Sequence, residues 1–334
     1  MTNPVWVWAI EQRLSGYGLN KAFHGPRSED VGPCWSFSRY GRTDTILPDG
    51  RLVRIGGEYE DHYDADFYIY NDVIVSHPGG GTEIFGYSDN VFPPTDFHTA
   101  NLVGDRIFMV GSLSYPSMRG QKAQVLVLDT TSYAIDRFDT TGETPPWIYK
   151  HTSELMDDGC ALMVRGGHIC GPRWPAAVEN IDDWRLDLYT GRWERLTRRL
   201  WPRFAFVRAD SLPNHLFWLR RRLSDRTRGK QEDSDGFRAR HLSHLGPHPR
   251  TDLLETLYTP DVPHSKMSEI ADERGVHRLC VEGVTVRYVE GWHDIQLTVE
   301  GVLPSRTVET ICLDLQTKLT AIENATIKCI QVTV

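Results

Sequence analysis

The sequence predicts a mainly β chain: repeated four-strand units over the first two-thirds, then a small α+β domain. Three observations carry this. A period in the low fifties recurs, with Thr43 to Thr99, Thr99 to Thr152 and His151 to Arg203 lying 56, 53 and 52 residues apart. Each unit has a tight turn, a glycine pair and an Asp-ended apolar run in the same order. From about Pro263 the pattern changes to strands followed by one helical period. With 334 residues, more than one compact unit is expected, assigned as an N-terminal segment (1–30), a repeat domain (31–262) and an α+β domain (263–334).

At the N-terminus, Pro4 opens VWVWAIEQRLSGYG. Trp6, Ile10 and Leu14 share a helical face and Gly16 is placed to cap it, although VWVW reads equally as a strand. The first unit then runs Arg42-Thr43-Asp44, LPDGRLVRIGG, DFYIYNDVIV and GTEIFGY. The second runs Phe97-His98-Thr99, LVGDRIFMVGS and QVLVLDTTSYAIDRFDTTG. The third runs Lys150-His151-Thr152, LMDDGCALMVRGG and DWRLDLYTGRWERLT. Pro48-Asp49-Gly50, Gly104-Asp105 and Asp158-Gly159 join the first two strands, because Asp and Gly accept the positive φ of tight hairpins. Second strands end in Gly56-Gly57, Gly111-Ser112 and Gly166-Gly167, where neighbouring backbones can approach closely. A fourth unit is expected from Arg203, assembled from Phe204–Arg208, Leu216–Arg220, Phe237–Leu242 and Leu254–Thr259, with a strand near Cys34–Arg39 closing the ring.

These glycine pairs, the downstream Leu-Asp or aromatic runs and the Trp-bearing last strand resemble kelch repeats, over about residues 30–225. The resemblance implies a kelch-like β-propeller, of four blades with five as the alternative, and protein–protein interaction as its use. In the second unit Ser112 departs from the glycine pair.

In the α+β domain, Val276–Val281, Val284–Val289 and Ile295–Glu300 read as strands. Val308, Ile311, Cys312, Leu315, Leu319 and Ile322 recur at helical spacing up to Asn324, and Ile327–Val332 forms a last strand. Ile295, Leu297 and Val299 are expected to present a dimerisation face.

No stretch of eighteen apolar residues and no basic, apolar leader occurs, so a cytoplasmic chain without membrane insertion is expected. The six cysteines are scattered without a CxxC pair, giving neither a zinc site nor a disulfide framework. The net charge of −8 is unevenly spread. Six acids and no Lys or Arg lie between Glu58 and Asp72, while Arg195–Lys230 holds eleven basic residues against two acids. Such faces of opposite sign steer association with a charged partner. The arginines are expected to form a solvated or internally paired face, or to meet an acidic protein partner, rather than a nucleic-acid site, because the chain is acidic overall and no nucleic-acid motif accompanies them.

Two residue sets are candidates. The first is the loops between strands: Glu58, Glu60, Asp61, His62, Asp64 and Asp66; Phe92 and Asp96; Tyr115 and Arg119; Trp147; Arg173 and Trp174. Carboxylates there suit a basic protein partner, and aromatics beside Pro-Pro suit interface anchors. The second is Asp44, His98, His151 and Arg203, at equivalent places on first strands that would line a propeller channel. Imidazoles serve ligation and proton transfer, but recurrence in every unit favours hydrogen bonds to neighbouring repeats. His168, Cys170 and Cys160 lack zinc spacing.

The function expected is a protein-binding module using the inter-blade loops, in concrete form a bacterial immunity or adaptor protein, with no cofactor and no catalytic set. One alternative is an enzyme with a metal or small molecule at the channel, although no copper-ligand set is identifiable. The other is an assembly scaffold dimerising through the C-terminal domain.

Overall fold

The computed structural model describes residues 3–24, 35–59, 68–170, 177–214, 250–267 and 275–333 of a mainly β chain. The chain divides into two compact units, Met1–Arg199 and Leu200–Val334. Among the described residues no helix is long and apolar enough to cross a membrane.

In the first unit, helix α1 (Pro4–Glu11) starts as its sequence dictates. Asn3 Oδ1 accepts from Val5 N at 3.0 Å, and Pro4 sits where its missing N–H costs nothing. The helix stops earlier than Gly16. Arg13 takes a left-handed φ of 55°, and Ser15 caps a second helix, α2 (Gly16–Ala22).

Three meander sheets follow, one for each legible repeat. The first contains β1 (Thr43–Ile46), β2 (Leu52–Ile55), the short ribbon β3 (Glu58–Tyr59) and β4 (Tyr68–Ile69), then β5 (Asp72–Ser76) and β6 (Thr82–Gly86). β1, β2, β5 and β6 pair antiparallel in that order, and β3 pairs only with β4 within the strands. The second is β7 (Thr99–Val103), β8 (Arg106–Val110), β9 (Val125–Asp129) and β10 (Ile135–Arg137). Next come β11 (Thr141–Gly142), β12 (Trp147–Tyr149), β13 (Thr152–Leu155), β14 (Ala161–Arg165), β15 (His168–Cys170), β16 (Val178–Glu179), β17 (Trp184–Asp187) and β18 (Arg192–Arg195). β13, β14, β17 and β18 form the third meander, and β11 adds to its outer edge parallel to β18. β12, β15 and β16 make a separate small sheet.

Period-2 alternation gives each sheet two apolar faces. Val53, Ile55, Val73 and Val75 of the first sheet pack with Ile107, Met109, Leu126 and Leu128 of the second. Ile74 and Ile84, on the opposite face of the first sheet, pack instead against Ile10 of α1 and Phe37, with Trp6 and Trp35 over them. The segment before β1 is therefore a covering layer. Residues 35–39 form no strand, only Tyr40 bridging to Glu58, so the expected ring-closing strand is replaced by this cap. Arg39 fastens it, lying over the Tyr70 ring at 3.5 Å, bonding the Gly56 carbonyl and pairing through both terminal nitrogens with buried Asp72.

The second unit corrects the fourth repeat. β19 (Arg203–Arg208) joins no further meander. It lies in an antiparallel sheet with β20 (Ser265–Lys266), β21 (Val276–Val281), β22 (Val284–Glu290), β23 (Asp294–Val299) and β24 (Ile327–Gln331), in the order β20-β21-β22-β23-β19-β24. The boundary expected at 262/263 accordingly falls at 199/200. The physical reason is that β19 fills the place between β23 and β24, giving both a hydrogen-bonding edge, while Ala205 and Phe206 are buried. Leu254–Thr259 forms turns after a 3-10 stretch, and 216–220 and 237–242 lie outside the described residues.

Helix α3 (Ser305–Glu323) covers this sheet through Val308, Ile311, Cys312, Leu315, Leu319 and Ile322, and Asn324 ends it at φ 46°. Ile295, Leu297 and Val299 are at most 1% exposed beneath it, so the dimerisation face expected of them is core. Arg208 ties β19 to the helix end, bonding the Glu323 carboxylate at 2.9 Å and carbonyl at 3.2 Å.

Glycine at the ends of second strands is required by the next repeat. A Cβ on Gly111 (φ 71°) would overlap the Ile148 carbonyl oxygen, and one on Gly56 (φ 59°) the Thr95 carbonyl oxygen. Gly104 has a similar φ of 62° but open space around it. Gly111→Ala is expected to cost more than about 2 kcal/mol in urea unfolding, and Gly104→Ala only the backbone cost of about 1 kcal/mol. Equal losses at the two sites would show that φ, and not the close approach, sets the requirement.

Candidate functional site

In an up-down meander, the connection from second to third strand and the connection leaving the fourth strand emerge at the same end of the sheet. That end gathers β3–β4, the 112–124 loop, β15–β16 and the segments 87–98 and 138–151. Both sequence-derived residue sets lie on or beside it.

The inner set is built by a recurring backbone device. Gly41, Phe97 and Lys150, each two residues before a first strand's opening threonine, have left-handed φ values of 63°, 47° and 53°. Phe97 N donates to Gly41 O at 2.6 Å, and Lys150 N donates to Phe97 O at 2.8 Å, linking three repeats in series. One residue on, His98 Nε2 pairs with Thr43 Oγ1 at 2.8 Å and His151 Nε2 with Thr99 Oγ1 at 3.0 Å. Both rings are buried, and burial pushes their pKa values down to about 3 and about 4, with His151 depressing His98 further. They are neutral near pH 7. Neither Nδ1 has a hydrogen-bond partner among the described residues, so a proton on Nε2, donated to threonine, leaves only a bare lone pair buried.

Of the other two inner candidates, only Asp44 lies in the same unit. Asp44 is exposed and pairs with Arg42 at 3.0 Å and Arg54 at 3.6 Å. Arg203 belongs to β19 in the second unit. Among the described residues no group of three or more His, Cys, Asp or Glu side chains is placed to hold a metal ion.

The loop set converges on Asp96. This carboxyl is fully buried, and its Oδ1 accepts from Ser114 N at 2.7 Å and Ser112 Oγ at 3.1 Å. Its Oδ2 has no hydrogen-bond partner among the described residues, and the Glu58 side chain lies beside the carboxyl. Burial pushes the Asp96 carboxyl above the ordinary carboxylate range. Around the pair, Tyr115 Oη accepts from Ile69 N at 2.8 Å. Arg119 donates to the carbonyls of Leu113 and Ser114 and lies 3.8 Å from Cys170 Sγ. Trp147 Nε1 donates to Leu113 O at 3.4 Å.

Glu58, Asp96, Tyr115, Arg119 and Trp147 thus come together, drawn from three repeats. Three placements differ from expectation. Phe92 is 0% exposed in the core between the first two sheets, Trp147 is buried in β12, and Asp96 is internal, so none is a surface anchor. Apolar rings beside prolines fill the seams between sheets instead. Glu60, Asp61, His62, Asp64, Asp66, Arg173 and Trp174 lie outside the described residues. Cys160 is in the turn before β14, its thiol bonding Asp158 O at 3.3 Å, while His168 stacks on Tyr149. Ser112 and Ser114 were not anticipated. Their signal was Ser112 itself, the one polar substitution in the glycine pairs. Also unanticipated is the exposed rim of Tyr40, Tyr68 and Met118.

No family model and no curated protein matches the chain. Among solved structures it is similar to the structure of YjhT, at 13% identity and TM-score 0.35, over 46% of this chain and 54% of that one. It is also similar to a fungal alcohol oxidase of the AA5 family in complex with copper, at 15% identity and TM-score 0.31, over 49% of this chain and 45% of that one. The chain spans about half the length of each.

The buried groups make opposite pH predictions. For His98 and His151 the folded pKa lies below the unfolded value, so their stability contribution is full above about pH 6.5 and falls on acidification toward about pH 4. The slope is about 1.4 kcal/mol per pH unit per histidine. His98→Gln, which keeps a donor to Thr43, is expected to halve that acid loss in urea unfolding; an unchanged slope would mean the ring protonates freely. Asp96, with its folded pKa raised, destabilises as pH rises above the unfolded carboxylate range. Asp96→Asn is expected to gain on wild type as the pH rises above the unfolded carboxylate range, and a constant difference would show that the carboxyl ionises as freely in the folded chain as in the unfolded one.

Proposed function

We propose that the chain is a protein-binding module of kelch-like propeller type, contacting its partner with the loop end of the three meander sheets. The observation that supports this best is the convergence of loops from three repeats on one internally bonded network, ringed by exposed Tyr40, Tyr68 and Met118. Tyrosine and methionine offer contact area at low ordering cost and are enriched in interfaces. The described ends of the loops stand on close-packed sheets.

The propeller part of the reading is supported by the meander order, by the repeat-to-repeat hydrogen bonds at Gly41, Phe97 and Lys150, and by glycines that admit the next repeat's carbonyl. The partner we propose is a protein with a basic contact surface. Glu58 borders the loop end, and four further acids lie in the chain between β3 and β4, whose antiparallel pairing holds that segment's two ends together. An adaptor or immunity role is the corresponding biology.

The test is recovery of a stoichiometric partner by the tagged chain, compared with a Tyr40→Ala/Tyr68→Ala/Met118→Ala variant. All three side chains are exposed, so urea stability should move by less than about 0.5 kcal/mol. Affinity for the partner is expected to fall at least tenfold, and wild-type affinity to weaken with salt. Full retention of binding by the variant would place the contact elsewhere.

A further inference from the structure

The second unit contains a thiol pair that the binding role does not use. Cys312 lies on the buried face of α3, one turn before Gln316, whose Nε2 donates to Ile327 O at 2.7 Å and so holds that face over β24. Cys329 lies on β24, the edge strand of its sheet, and packs against the cluster that includes Cys312. The chain turns back between α3 and β24, so from the Gln316–Ile327 contact Cys312, one turn earlier on the helix, stands opposite Cys329, two residues further on the strand. Cys312 is buried and Cys329 half-buried, so Cys329 is the more accessible of the two.

We propose that Cys312 and Cys329 are a dithiol modification site, closed to an intramolecular disulfide by small disulfides of the glutathione class. The Cys329 thiolate attacks one sulfur of the small disulfide, the S–S bond breaks and one small thiolate leaves. That thiolate takes the proton of Cys312, whose sulfur then attacks Cys329 and expels the second small thiolate, protonated by solvent. Two protein thiols and one small disulfide become one protein disulfide and two small thiols, so two electrons pass from the protein to the reagent. The neighbouring sulfur and burial divide the labour: together they push the Cys312 thiol up, so that it stays protonated, while Cys312 draws Cys329 down. Closure joins the middle of α3 covalently to the sheet edge, beside the Gln316–Ile327 hydrogen bond.

Oxidised glutathione added to the full chain, followed by intact mass measurement and non-reducing peptide mapping, tests this. Loss of two hydrogens and a cross-linked 312–329 peptide are expected, with a rise in thermal midpoint that dithiothreitol reverses. Cys312→Ser is expected to accumulate a glutathione adduct on Cys329, and Cys329→Ser to leave Cys312 unmodified. Because Cys329 is only half-buried, Cys329→Ser remains informative where Cys312→Ser does not fold. A stable adduct on wild-type Cys329 without the cross-link would overturn the proposal. So would reaction at exposed Cys160 with both members of the pair untouched.

Discussion

The first unit depends on one close approach, repeated. The carbonyl of the residue three before each recurring histidine, His98 and His151, reaches into the end of the previous repeat's second strand. There Gly57 N bonds Thr95 O at 2.8 Å and Ser112 N bonds Ile148 O at 2.9 Å. The approach is possible because the adjoining residues, Gly56 and Gly111, carry no side chain. Everything at the loop end is placed by it: the left-handed Phe97 and Lys150, the histidine–threonine bonds, and Asp96 beneath the Ser112–Ser114 turn. Successive sheets are therefore registered by backbone groups of fixed geometry, while apolar side chains between them supply the burial.

This division explains why the polar interior is tolerated. Asp96, His98 and His151 sit where water is excluded, and each is held in an uncharged or nearly saturated form by neighbours from another repeat. A buried polar group that finds its partner across a seam specifies which sheets meet, since a mispaired seam would leave it unbonded. Arg208 and Glu323 act alike in the second unit, where a strand and a helix end distant in sequence share a buried charge pair.

Much of this architecture was legible from residues. Turns, glycine pairs and Asp-ended strands mark the three meanders because their φ requirements are local. The helix over 305–323 and its Asn324 end follow from apolar spacing and a residue suited to left-handed backbone. What local pattern could not carry was the choice of neighbour. RFAFVR alternates as any half-buried strand does, and its distance from His151 fits the period, yet its partners are β23 and β24, far downstream. Phe92 and Trp147 show the same limit. An aromatic beside prolines reads alike whether it fills a seam or faces solvent, and only the position of the next sheet decides. The loop network was visible residue by residue, but not as one network, because Ser112 and Ser114 matter only through the fold of the turn that carries them.

The two residues of β11 have an effect beyond their size. They lie before the third meander begins, yet pair with β18, the strand that ends it. The chain leaving the second repeat is thus held to the far border of the third, and about fifty residues are enclosed between the two contacts. Such a clasp makes the repeats unequal as units of inheritance. Excising or duplicating one from first strand to last would leave the clasp without its partner, so the natural module to copy runs across the apparent boundary. It also makes the third meander slow to complete, since its border forms only after the whole enclosed segment has been gathered.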